Sequence, residues 1–307
     1  MVFSGIRMLL TRQMNNSNRN RHHIEGKGGL FGAWLGTSLF VYLALIVLLI
    51  VADVWYVLAA CWDSPDGVTV MLDWPNLWDS VKLTFLSCTI SAILSVFIAV
   101  PIGYLLSRYR FFGRSVIDAM LDIPVVLPPL VIGLSLLILF NNFPPKILGW
   151  GAESLDGYLS DFGMRVTNTK LAVILAQFTV AAAFAIRTVK ATFDQIDPRS
   201  EQVAMTIGAS RGRAFFDVVM PQSYRGIVAA GTLAWARALG EFGPILVFAG
   251  ATKGKTEVLS TSVYLEINTG NINGAVIISL LMIALAMITI LTVRYCTERG
   301  AGYDLHR

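Results

Sequence analysis

Arg237 and Glu241, in the stretch ARALGEFGP, are the only charged residues lying deep in an apolar run of the chain. Alone at the centre of a hydrocarbon layer each would cost about 2.5–3.5 kcal/mol. Four residues apart on a helix they share a face, so guanidinium and carboxylate can neutralise each other. Two readings stay open: a self-neutralised pair facing a bundle interior, or a pair working at a gate or a subunit contact. Gly240, Gly243 and Pro244 around the pair call for close backbone approach or a bend. Asp118 and Asp122, one turn apart at the start of another apolar run, are either anions favoured by a helix N-terminus or members of a proton relay.

No catalytic constellation accompanies these charges. HExxH is absent, and no histidine falls within an apolar run. The sequence also lacks GxxxxGK[ST], the loop whose backbone amides cradle the phosphates of ATP. Cys61, Cys88 and Cys296 form no CxxC or Cys/His cluster, which leaves a zinc site or a disulfide framework without support. His22 and His23 belong to a polar tail, TRQMNNSNRNRHHIEGKGG, read as solvated and mobile rather than metal-binding. The expectation is a chain with no catalytic residue, no metal site and no cofactor of its own.

The elements that must position these residues follow from composition. Of 307 residues 55% are hydrophobic and only 14% charged, where soluble domains carry about a quarter charged residues. Six apolar runs are long enough to cross a bilayer: about Trp34–Val57, Val81–Leu106, Val116–Phe140, Leu171–Val189, Ile227–Phe248 and Ala275–Val293. The fold class expected is an all-α membrane protein with six transmembrane helices. Residues 1–30 form a cytoplasmic, disordered N-terminal tail, 31–297 the membrane domain with its core at 79–295, and 298–307 a short cytoplasmic C-terminal tail.

With six spans both termini lie on one side. That side carries seventeen lysines and arginines and the opposite side six, which places both termini in the cytoplasm. The net charge of +4 is thus a topology signal; the basic residues are dispersed without an aromatic platform, and no nucleic-acid partner is expected. The outer loops at 61–79, 141–169 and 249–274 carry turn residues, and the last includes a short helix around Leu259–Ile267. In the third run IPVVLPP places Pro124, Pro128 and Pro129 within six residues, so that helix is kinked or broken. The bend is either a packing kink or the lining of a pathway.

Between the fourth and fifth runs lies EQVAMTIGASRGRAFFDVVMPQ, residues 201–222. Asp197 can cap a helix whose first position is Pro198 and whose first turn holds Glu201. This helix would bury Val203, Ala204 and Ile207 on one side and stop at Gly208. Ser210 can cap a second short helix with Phe215, Val218 and Val219 as its apolar face, ended by Pro221. Helix, glycine turn, helix makes a partly apolar knob at 198–221, and an exposed apolar knob marks a contact surface.

This segment resembles the signature of importer-type ABC transporter permeases: EAA, three residues, Gly, nine residues, Ile-x-Leu-Pro. Gln202, Val203 and Ala204 occupy the EAA slot, Gly208 the glycine, Val218 and Met220 the aliphatic slots, and Pro221 the proline. The departures are Gln for Glu, with Glu201 directly before it, and Val203 for Ala. From about residue 79 the chain is similar to molybdate- and sulfate-type permeases, through PVVLPPLVIG, RALGEFG and FAGATKGKTEVLSTSVYLE.

The resemblance implies a type I ABC importer permease fold in the inner membrane. In such systems two permease subunits, a homodimer or a related heterodimer, form the channel. Two cytoplasmic ATPase subunits bind ATP and Mg and hydrolyse the nucleotide, and an external binding protein delivers the cargo. The implied coupling residues are Glu201, Gln202, Val203, Ala204, Gly208, Ala209, Phe215, Val218, Met220 and Pro221. Pro124, Pro128, Pro129, Arg237 and Glu241 become candidates for the path or gate. The implied cargo is an oxyanion, molybdate first and sulfate next, with tungstate, thiamine or ferric iron as alternatives. A secondary transporter or channel would explain the spans but not the glycine-centred segment.

Overall fold

The computed structural model describes residues 29–63, 74–142 and 154–304. Every regular element among them is helical. In chain order these are α1 (Gly29–Asp63), α2 (Trp74–Arg108), α3 (Arg114–Val126), α4 (Pro129–Asn141), α5 (Leu155–Asp161), α6 (Lys170–Asp194), α7 (Pro198–Thr206) and α8 (Arg211–Ala214). A π-helical turn, Phe215–Val219, leads into α9 (Met220–Leu239). A second π-helical turn, Ile245–Ala249, precedes α10 (Leu259–Asn268) and α11 (Ile272–Asp304). The N-terminal tail with His22 and His23, and much of the 61–79 and 141–169 loops, lie outside the described residues.

The chain divides into two compact units at Ala59 and Ala60. Of the first, the described part is residues 29–59 of α1, most of them exposed, Phe40 and Val41 among them. An apolar helix without a polar face is suited to lipid contact on every side.

The second unit is built on α2, α6 and α9. One face of α2 presents Ser80, Thr84, Ser87, Ser91 and Ser95, all buried, at helical spacing. All but Ser91 bond within α2: Thr84 Oγ1, for example, donates to Ser80 O at 2.6 Å and Ser95 Oγ to Ser91 O at 2.7 Å. Ser91 Oγ crosses to Ile174 O on α6 at 3.0 Å. Opposite stand Ala172, Ala176, Ala181 and Ala185, each fully buried. Small residues let the backbones close in, which is how helices associate where lipid removes the hydrophobic driving force. At Gly103 a β-carbon would meet Val189 Cγ1 at 3.0 Å and Lys190 N at 3.1 Å. Leu106, Phe193, Trp235 and Leu239 complete this core.

All six apolar runs are recovered as helix, four of them unbroken. α1, α2, α6 and α11 are long and apolar enough to cross a membrane, and the pair α3 and α4 would make five if it is one span. The third run breaks between α3 and α4, whose axes differ by 110°. Leu127 is extended at φ −67° and ψ 142°, as the residue before a proline must be, and Pro128 and Pro129 bring no donor to continue the ladder. Each half has 13 residues, about 20 Å long, short of the ~30 Å hydrocarbon core. The fifth run is broken too. α9 starts at Met220, earlier than expected, stops at Leu239, and is diluted in apolarity by Arg225 and Arg237.

Two further differences from the sequence reading are local. The 61–79 and 141–169 loops are helical at their described margins, the latter holding α5. α11 continues to Asp304, beyond the boundary placed at 297. Asp118 pairs with Lys190 Nζ at 2.6 Å and Asp122 with Arg187, tying α3 to α6.

Candidate functional site

The segment after α6 folds as its local chemistry dictates. The Asp197 carboxylate accepts from Arg199 N at 2.9 Å, capping α7 with Pro198 in its first turn. α7 ends where Gly208 takes φ +97°, and Ala209 N–H reaches back to Ala204 O at 3.1 Å. That six-to-one closure is the Schellman type, satisfying a carbonyl the helix end would orphan. A β-carbon on Gly208 would meet nothing within 4 Å, so the turn needs glycine for its backbone angle rather than for space. Ser210 Oγ then accepts from Arg213 N at 3.3 Å and starts α8.

Two expectations about this segment are corrected. Pro221 does not end the second helix, because α8 passes through the π-helical turn into α9 without interruption. Met220 N–H bonds Phe215 O, five residues back, and this wider turn relieves the collision a proline makes with the carbonyl four residues earlier. Within the chain Val203 and Ile207 are not buried; they are 61% and 84% exposed, with Ala204 half-buried and Gln202 exposed. Val203 and Ile207 form an outward apolar patch left uncovered by the described residues, joined in exposure by Phe216.

The inward residue of α7 is Glu201, 7% exposed. Its carboxylate accepts from Tyr104 Oη and stands 3.5 Å from Arg108 Nε, both at the end of α2. Arg108 Nη2 also donates to Ile196 O at 2.9 Å, just before α7. The Tyr104 ring packs on Phe215 at 4.6 Å and Phe193 at 5.8 Å between centroids. Arg211 lies over the Tyr109 ring and donates to its hydroxyl at 3.1 Å. Phe215, Val218, Val219 and Met220 turn toward the bundle, while Pro221 is exposed. The sequence reading missed Tyr104, Arg108 and Tyr109. Their signal was YLLSRYR, where Tyr104 and Arg108 fall four apart on one helix face.

Gly208–Gly212 reads GASRG, the letters of a nucleophile elbow. An elbow requires a strand leading into a helix. Here two helices are joined, and Ser210 Oγ serves as a cap.

The other end of α9 carries the second cluster. Arg237 Nη2 and Glu241 Oε1 are 2.7 Å apart, forming the expected pair. Arg237 remains 30% exposed and lies over the Phe184 ring at 5.5 Å, whereas the Glu241 side chain is 1% exposed. Among the described residues neither carboxylate oxygen of Glu241 has a hydrogen bond of good geometry, and the Arg237 guanidinium compensates its charge. The pair straddles the break: Arg237 belongs to α9, Glu241 to the residues after it. Ser260 Oγ, on α10, donates to Glu241 O at 2.7 Å.

The two broken runs meet here. A β-carbon on Gly133 would stand 2.8 Å from Pro244 Cα, and one on Gly243 would stand 3.0 Å from Leu130 N and 3.1 Å from Pro129 Cβ. Pro129 is thus brought against the residues following Glu241. Pro124 stays within α3, a turn before the bend, and Pro128 caps α4. The 198–221 segment lies at the opposite end of α9, about 24 Å from Arg237 along the axis by helical rise.

Residues 99–299 match the family model described as binding-protein-dependent transport system inner membrane component. The chain belongs to this family. It is therefore a permease component of an ABC importer, a membrane transport subunit. The permease is 30% identical over 265 residues to the sulfate transport system permease protein CysT of Escherichia coli, covering 86% of this chain and 91% of that one. It is 31% identical to the molybdenum transport system permease protein ModB of Escherichia coli, covering 70% and 90%. It is 33% identical to the molybdate/tungstate transport system permease protein WtpB of Pyrococcus abyssi, covering 72% and 77%. Among solved structures it resembles a chain of the bacterial alginate ABC transporter in complex with a periplasmic protein, with TM-score 0.66, 16% identity and coverage of 89% and 95%. At that identity the likeness is one of fold.

Proposed function

We propose that this permease moves a tetrahedral oxyanion, molybdate first and sulfate or tungstate next. An external binding protein delivers the anion, and a separate cytoplasmic ATPase that carries ATP and Mg supplies the work. The observation that carries the coupling half is the braced, outward apolar patch at Val203, Ile207 and Phe216, turned by Gly208 and anchored by Glu201. An exposed apolar patch of this kind marks a contact surface, which supports a partner at this face. The cargo half rests on relatives named for sulfate, molybdenum and molybdate/tungstate transport. The seventeen-to-six distribution of basic residues supports a cytoplasmic position for both termini and for the patch.

In this mechanism closure of the ATPase pair pushes on α7 and α8, and α9 carries the displacement to the Arg237–Glu241 break. Sliding of α9 against Gly243 and Pro244 separates the pair and admits the anion past Pro129. Arg237, already part-exposed, then faces an anion in place of Glu241. Two copies of this chain, or this chain and a related permease, enclose the path.

Reconstitution in liposomes with the cognate ATPase and binding protein tests this reading. Labelled molybdate or sulfate should accumulate only with ATP inside the ATPase compartment and only with the binding protein outside. Accumulation without the ATPase, or none of either oxyanion with all partners present, would overturn it.

A further inference from the structure

A groove runs between α9 and α11 in the second unit, with a cavity of about 440 Å³. Arg225 and Arg294 stand at one end of it, and Val228, Leu233, Ala236 and Val293 line the rest. A second cavity of about 400 Å³ continues it toward α2, sharing Val228, Thr232 and Val293. Both arginines are exposed, and neither forms an ion pair among the described residues. From Arg225 to Ala236 the axis of α9 rises about 16 Å, close to the ~15 Å of one hydrocarbon leaflet. Tyr224 and Tyr295, 56% and 54% exposed, flank the arginines. Tyrosines at that position mark the depth of lipid headgroups.

We propose that this groove holds one anionic phospholipid, its phosphate on Arg225 and Arg294 and an acyl chain along Val228, Leu233 and Ala236. Charge chooses this occupant over a helix. α1 is apolar enough to lie in a groove, but it has no acidic residue before Asp53 and offers the arginines nothing. A second copy packed on this face by twofold symmetry would set the same two arginines against themselves. A phosphodiester in the leaflet on the 198–221 side supplies the missing charge, and basic pockets between spanning helices select such headgroups. The site lies outside the Arg237–Glu241 break and independent of the cargo.

Native mass spectrometry of the full chain, purified as assembled from membranes and titrated with dioleoyl phosphatidylglycerol or dioleoyl phosphatidylcholine, tests the site. Each arginine near an anionic headgroup contributes about fivefold, so phosphatidylglycerol should be preferred roughly 25-fold. The double variant Arg225→Gln/Arg294→Gln should bring that ratio near one without lowering the unfolding temperature. Ala236→Trp, which fills the groove, should weaken both lipids alike. Equal binding of the two lipids by the wild type, or an unchanged preference in the double variant, overturns the proposal. So does a photo-cross-linker at Leu233 that labels α1 or a second copy in membranes instead of lipid.

Discussion

Gly133 and Pro244 touch backbone to backbone, at the point where the two broken runs of the chain meet. One lies a turn into α4, the other just after Glu241, and no side chain fits between them. This contact fixes where the proline bend sits relative to the charged pair, and so the geometry of the path proposed above.

Gly133→Ala therefore tests whether that contact matters to transport. The added methyl meets backbone rather than a movable side chain, so the cost should follow overpacking, about 1–3 kcal/mol. Oxyanion uptake should fall sharply and the unfolding temperature by a few degrees. Full uptake at wild-type stability would show that the two breaks need not touch.

The Glu201 anchor makes a rescue prediction. Arg108→Met leaves a buried carboxylate with one partner fewer, which costs about 3 kcal/mol or more. The double variant Arg108→Met/Glu201→Gln removes the charge itself and should recover most of that loss. Tyr104→Phe keeps the ring on Phe215 and loses one hydrogen bond, so about 1 kcal/mol is expected. Unfolding temperature and retention of the ATPase subunit on affinity resin are the measurements. A double variant no better than Arg108→Met would refute the anchor.

Gly208 separates backbone strain from crowding, because space around it is open. Gly208→Val should cost about 1–2 kcal/mol through the left-handed backbone alone, with Gly208→Asn milder. In the valine variant ATPase stimulation by the permease should uncouple from transport, or assembly should fail. Wild-type uptake by that variant would sink the docking role of the turn.

For Arg237 and Glu241 a double-mutant cycle distinguishes pairing from two separate roles. Arg237→Met strands Glu241 in a site without another side-chain partner among the described residues, and the loss of stability should be large, about 3–5 kcal/mol. Arg237→Met/Glu241→Met should regain stability but not transport. Regained uptake in the double variant would reduce the pair to a packing device.

Much of this was legible in the sequence because it is local. Asp197, Pro198, Gly208 and Ser210 act on their own neighbours, so caps and turn could be read from spacing alone. The same holds for the Arg237–Glu241 pair, four residues apart on one helix. What escaped was contact between distant segments. Glu201 looked like a first-turn acid, and only the fold brings Tyr104 and Arg108 to it across nearly a hundred residues. Pro221 looked like a stop because periodicity assumes an α-helix, and a π-helical turn changes the register that makes proline a breaker. The partners of Asp118 and Asp122, Lys190 and Arg187, likewise come from a different helix and stand opposite them only in the fold.

The π-helical turn at Phe215–Val219 also fixes an angle. It accommodates one residue more than an α-turn, and each helical residue advances about 100° around the axis. The faces of α7 and α8 are thereby set at a definite rotation to the face of α9 that carries Arg237. Removing one residue from the turn would keep every side-chain type and the length of the helix nearly intact. It would nonetheless swing Phe216 by about 100°, a little over a quarter of a revolution, relative to Arg237. The permease is indexed as well as connected, and rotational phase is part of what its sequence encodes.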